Sequence, residues 1–193
     1  QDWSNVSGIT TEWDFVEAPS QMLQEWVWDY ETIARFAKNS EGEPIPEELL
    51  DKMIAARDFG LGSGTRRQLS LEALSLNLYN HDPAIIDLDE LITRMSSEYT
   101  HYEAIPGTLF YANFGHLNGY SAIYYTYPGS LAIATDLFTR FEEQGLRVVE
   151  VAGAYREIVL GGGVTRPAGE MVIEFLGREI SLKPYADRLS GKK

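Results

Sequence analysis

The sequence predicts a mainly α, multi-helix fold, and three observations carry that expectation. Apolar residues recur at spacings of three and four over Phe15 to Phe36, a leucine-rich stretch with helical character covers Thr65 to Asn80, and Gly/Pro clusters separate such stretches. With 193 residues, 44% of them apolar, the chain can bury a substantial core as one unit, 1–193.

Each element follows in order. Phe15, Val16, Met22, Leu23, Trp26, Val27, Ile33, Ala34 and Phe36 form one wide apolar face, with Pro19 predicting a kink or restart that puts it in a first turn. Residues 39–46 read as a loop. Glu47 and Glu48 then open a helix to about Phe59, their charge complementing its positive end. Gly60, Gly62 and Gly64 lack any phosphate-loop context and read as a turn or close helix contact. A helix follows to Asn80, ended by His81-Asp82-Pro83, and another spans Ile86 to Tyr99. Tyr102 to Gly119 reads as extended or looping. A long helix is expected over Ser121 to Gln144, bent or split at Pro128-Gly129. Val148 to Leu160 is helical, Gly161-Gly162-Gly163 a flexible turn, and short helices near 169–176 and 182–189 close the chain.

The formal net charge of −13 argues against nucleic acid, whose phosphates demand a basic surface, and against anionic membranes. With no cysteine, disulfides, thiolate zinc sites and thiol nucleophiles are excluded. No 18-residue apolar run and no signal-like N-terminus is present, and the cytoplasm or an organellar matrix is the expected compartment.

Two constellations can carry chemistry. In Trp13-Asp14-Phe15-Val16-Glu17-Ala18-Pro19-Ser20-Gln21, Glu17 reads either as a solvated helix glutamate or as a metal-ligating carboxylate, one ligand where three are the usual catalytic set. Asp14, three residues earlier, reads as a helix cap or as a carboxylate that orients a ligating histidine. In Phe114-Gly115-His116-Leu117-Asn118-Gly119-Tyr120-Ser121-Ala122-Ile123-Tyr124-Tyr125-Thr126-Tyr127, helical spacing aligns Tyr120, Tyr124 and Tyr127 beside a glycine-flanked histidine. This is an aromatic core stripe or a peptide-binding surface whose phenols donate to a carbonyl or oxyanion. Tyr125 points about 100° away and packs inward or elsewhere. His81 and His101 lack a partner at i+4, the acids Asp82, Asp87, Asp89 and Glu90 lack Ca²⁺-loop spacing, and no serine nucleophile elbow occurs.

Both constellations, in this order, resemble segments of the thimet oligopeptidase and neurolysin family of zinc metallopeptidases, also called oligopeptidase A-like. Weaker echoes over 16–29, 44–56, 65–69, 105–108, 155–163 and 175–179 extend the resemblance over nearly the whole chain. It implies the C-terminal helical part of a zincin-like oligopeptidase catalytic domain, with Glu17 as third zinc ligand and Asp14 behind it. It further implies that His116 and Tyr120 contact substrate and stabilise the transition state, and that Tyr124 and Tyr127 line the cleft. The chain departs from the family in a short His116–Tyr120 loop and in Pro128-Gly129.

The family's HExxH helix, about 25 residues before the ligand glutamate, is not in this chain, where 16 residues precede Glu17. The expectation is therefore a zinc metalloendopeptidase portion that acts on short peptides only with upstream histidines, inactive by itself. Its partners would be short peptides and the missing N-terminal part, with self-association through apolar faces shaped to pack on that part. A non-catalytic peptide-binding module and a purely structural piece are the alternatives.

Overall fold

The computed structural model describes residues 4–6 and 9–191. Its α-helices run α1 (Ala18–Leu23), α2 (Tyr30–Ile33), α3 (Glu47–Arg57), α4 (Leu61–Tyr79), α5 (Leu88–Tyr99), α6 (Phe110–Asn113), α7 (Thr126–Gln144), α8 (Val149–Ala154), α9 (Ala168–Leu176) and α10 (Lys183–Leu189). Short 3₁₀ turns cover Gln24–Trp28 and Gly115–Asn118, and a π-helical turn, Tyr155–Leu160, continues α8. No strand occurs among the described residues, where an isolated bridge pairs Lys38 with Pro44. The protein is mainly α, as its apolar spacing predicts.

The fold divides into two compact units, residues 1–59 with 129–193, and residues 60–128. Helix α7 begins at the end of the second unit and runs on into the first.

In the first unit, Phe15, Ala18 and Met22 join Leu137 and Phe141 of α7, Val151 and Tyr155 around the end of α8, and Met171, Val172 and Phe175 of α9 in one core. Trp26 meets Phe141 edge-on at 4.8 Å, and its indole N–H donates to the Leu146 carbonyl at 3.2 Å. Glu25 accepts from Arg188 of α10 at 2.9 Å and from Arg57 of α3 at 3.4 Å, tying two distant helices to the same turn. Phe36 and Phe59 of this unit stand exposed.

The second unit is built on α4 packed along α5. Leu71 and Leu74 meet Leu91 and Met95, and Phe114 and Tyr124 complete the core. Asp87 caps α5 by accepting from the Glu90 amide at 2.9 Å, which satisfies one of the orphan donors of the first turn.

Several local expectations are revised. The 15–36 pattern breaks into α1, a 3₁₀ turn and α2, because Asp29 leaves the helical region and accepts from the Thr32 amide and hydroxyl at 2.9 and 2.6 Å. Pro19 does sit in the first turn of α1. Gly60, with φ of 75°, makes the turn before α4, so Gly62 and Gly64 lie inside the helix. The helix expected from Ser121 begins only at Thr126, which places Pro128 in a first turn where its missing N–H is harmless. Gly161 and Gly162 do form a turn, but a closely packed one: a Cβ on Gly161 would stand 2.7 Å from the Glu157 carbonyl oxygen, and one on Gly162 would collide with the Met171 sulfur.

Candidate functional site

Glu17 and Asp14 belong to the first unit, the His116–Tyr127 segment to the second. Glu17 is the residue immediately before α1, half-buried, with its carbonyl accepting from the Ser20 hydroxyl and the Gln21 amide at 3.0 Å each. Asp14 lies in the preceding turn, exposed, its carbonyl accepting from the buried Ser130 hydroxyl at 3.1 Å. The two acids therefore do not share a helical face, and Asp14 caps no helix. Among the described residues no three His, Cys, Asp or Glu side chains converge as a metal site. One carboxylate does not hold zinc, so the donor set found here does not fit the ion by itself.

The aromatic segment does converge, by a different route from the helix its spacing suggests. The 3₁₀ turn Gly115–Asn118 is followed by a run of turns over residues 121–125, in which Ala122 adopts a left-handed φ of 58°. A non-glycine residue takes that conformation rarely, and here it folds the chain so that the rings gather. Tyr120 stacks on Tyr127 at 5.5 Å, Tyr124 meets Tyr127 edge-on at 5.0 Å, and the exposed His116 ring lies 5.6, 5.5 and 6.1 Å from Tyr120, Tyr124 and Tyr127. Tyr124 is 9% exposed and rests edge-on against Phe114 at 4.9 Å, whereas Tyr120 and Tyr127 are half-buried. Tyr125 points outward at 49% exposure, not inward.

Helix α4 positions this cluster. Gln68, Glu72, Ser75 and Tyr79, spaced i, i+4, i+7 and i+11, lie along one face. From it, the fully buried Ser75 hydroxyl donates to the Tyr120 carbonyl at 3.3 Å and the Tyr79 hydroxyl donates to the Leu117 carbonyl at 2.5 Å. Glu72, the next turn along that face, has one carboxylate oxygen buried without a hydrogen-bond partner. Burial pushes its carboxyl up to about 7. Gln68 opposes that shift, although its buried Nε2 closes no hydrogen bond of good geometry. The Tyr124 phenol is also raised, chiefly by burial, then by Tyr127 and in lesser part by Glu72, with Gln68 and Arg67 acting against it.

These α4 residues are absent from the sequence reading because they look like polar interruptions of a leucine-rich helix. Their signal was present in the four-residue stripe at helical spacing. What assembles is a cup of three phenols and an imidazole, with a half-buried carboxyl on the supporting helix face that no salt bridge pairs among the described residues.

Residues 1–191 match the family model described as Peptidase family M3. The chain is 34% identical over 197 residues to organellar oligopeptidase A, chloroplastic/mitochondrial, of Arabidopsis thaliana, an alignment covering 95% of this chain and 24% of that protein. It is 33% identical over 187 residues to oligopeptidase A of Escherichia coli (strain K12), covering 93% and 27% respectively. With saccharolysin of Saccharomyces cerevisiae the identity is 32% over 184 residues, covering 92% and 26%. The chain thus spans about a quarter of the length of these curated relatives. No helix among the described residues is long and apolar enough to cross a membrane.

Proposed function

Since the chain belongs to peptidase family M3, we propose that its His116–Tyr127 cup is a peptide-holding surface of a metallo-oligopeptidase. The convergence of His116, Tyr120 and Tyr127 over a buried Tyr124 is the observation that supports this most directly. Phenol and imidazole N–H and O–H groups donate to peptide carbonyls, and flat rings cover a peptide backbone at little entropic cost. In this reading His116 and Tyr120 donate to the carbonyl oxygen as it gains charge, Tyr127 lines the cleft, and Tyr124 forms its floor.

Zinc is the metal on which the family depends, and it would supply a polarised carbonyl and an activated water. Glu17 is the residue we propose as its third ligand, with Asp14 supporting from the preceding turn. Because the described residues bring no complete donor set together, we propose that this chain binds short peptides but does not cleave them by itself. The remaining ligands would come from an N-terminal part of the same peptidase.

Calorimetric titration of the chain with short blocked peptides tests the reading. The expected result is zinc-independent binding, weakened about tenfold by His116→Ala or Tyr120→Phe, which leave the core rings in place. Absence of binding, or binding indifferent to both changes, would overturn the peptide surface. Chelator-sensitive cleavage would overturn the claim that the chain is incomplete.

A further inference from the structure

We propose that Glu72 makes the cup selective for peptides carrying a basic side chain, taking the ammonium or guanidinium between its carboxyl and the stacked rings of Tyr120 and Tyr127. This rests on the peptide reading of the cup and assigns it a substrate class.

The geometry begins with the face of α4. Ser75 and Tyr79 on that face bond directly to the Tyr120 and Leu117 carbonyls, so Glu72, three residues before Ser75, is carried along the same face beside the ring cluster. Its charge is also felt at the Tyr124 phenol, as the smallest of the influences on that group. One oxygen is buried with no hydrogen-bond partner, while the residue as a whole is only half-buried, so the side chain keeps an exposed edge that an incoming group can meet.

Among the described residues no salt bridge pairs this carboxyl with a cation. On its own helix, Arg67 is exposed and acts on Tyr124, and Arg66 donates to the Glu98 carbonyl on α5 at 2.9 Å. Arg94 of α5 turns to Asn77 at 3.5 Å, and Tyr124 is the phenol on which the Glu72 charge acts. Burial alone raises Glu72, with no opposing cation among the causes. A carboxyl held in this way gains most from a cation that arrives with a ligand. Stacked phenol faces attract the same cation through their quadrupoles, so ring and carboxylate select for one chemistry.

The test titrates the full chain with blocked hexapeptides that differ only in lysine or norleucine, the substitution being moved through the peptide. At about pH 8, where Glu72 is ionised, one lysine position should bind about tenfold tighter than its norleucine counterpart. The preference should vanish at about pH 5.5, where the carboxyl is protonated, and in Glu72→Gln, whose affinity for the norleucine peptide should be unchanged. Equal affinity for both peptides at every position, or a preference that survives Glu72→Gln, overturns the inference and leaves the peptide surface standing. Failure of every peptide to bind overturns the surface and the inference together.

Discussion

Asp136 is wholly buried in α7, and Arg178 grips both of its carboxylate oxygens, at 2.7 and 2.9 Å. The Ser181 amide donates to the same carboxylate at 2.8 Å, so the pair fixes the chain that leaves α9 on its way to α10. Arg178 is itself 43% exposed, which means water compensates the arginine but not the aspartate. Arg178→Met should therefore cost about 3 kcal/mol, because it strands a buried charge with one remaining donor. Urea unfolding measures this, and a loss below about 1 kcal/mol would show the pair to be no more than a surface contact.

Glu72 makes stability depend on pH in the direction opposite to most carboxylates. Its carboxyl titrates at about 7 in the folded chain against 4.5 ordinarily, so the native state holds the proton more tightly than the unfolded state. The associated stability is fully present below pH 4.5 and is lost as pH rises through about 7. The residue is only half-buried, and screening limits the effect to about 1–2 kcal/mol. Unfolding free energies at about pH 4.5 and 8 should differ by that amount more in the unaltered chain than in Glu72→Gln. Identical pH profiles for the two proteins would refute the assignment.

Much of the fold was legible in the sequence, and the errors have physical reasons. Helices α3, α5, α9 and α10 lie close to their expected places, since apolar spacing is a local signal and α3 adds an acidic first turn. The start of α7 differs from its expected place because helical spacing of Tyr120, Tyr124 and Tyr127 is also satisfied by a turn at Ala122 that brings the same rings together. No propensity rule anticipates alanine at a φ of 58°. Glu72 is not legible in the sequence for a related reason, since burial of one polar group inside a leucine-rich helix depends on what packs over it.

Gly162 is a matter of close packing, and the sequence Gly161-Gly162-Gly163 disguises this as flexibility. A Cβ there would meet the sulfur of the fully buried Met171 and would stand 2.6 Å from the Ile158 carbonyl oxygen. The methionine can shift, but the carbonyl belongs to the π-helical turn that delivers Tyr155 and Val159 to the core. Gly162→Ala should cost about 3 kcal/mol, as overpacking against backbone does. A thermal melt within a degree or two of the unaltered chain would mean that the turn relaxes freely.

Tyr79 offers a way to disturb the cup without touching any ring in it. Its hydroxyl donates to the Leu117 carbonyl at 2.5 Å, inside the 3₁₀ turn that carries His116, and Ser75 holds the adjoining Tyr120 carbonyl. Tyr79→Phe removes one hydrogen bond at a half-exposed site, so global stability should fall by only about 1 kcal/mol. The local effect should be larger than that figure suggests. The Gly119 and Tyr120 amides donate to the His116 carbonyl at 3.1 and 2.7 Å, and loosening their turn exposes both to exchange. Hydrogen exchange at these two amides should accelerate about fivefold or more, while amides in the middle of α7 change only with global stability. If peptide affinity drops in parallel, His116 depends on α4 for its position. If exchange at Gly119 and Tyr120 is unchanged, the turn is held by its own backbone, and the α4 face is a neighbour of the cup without being its support.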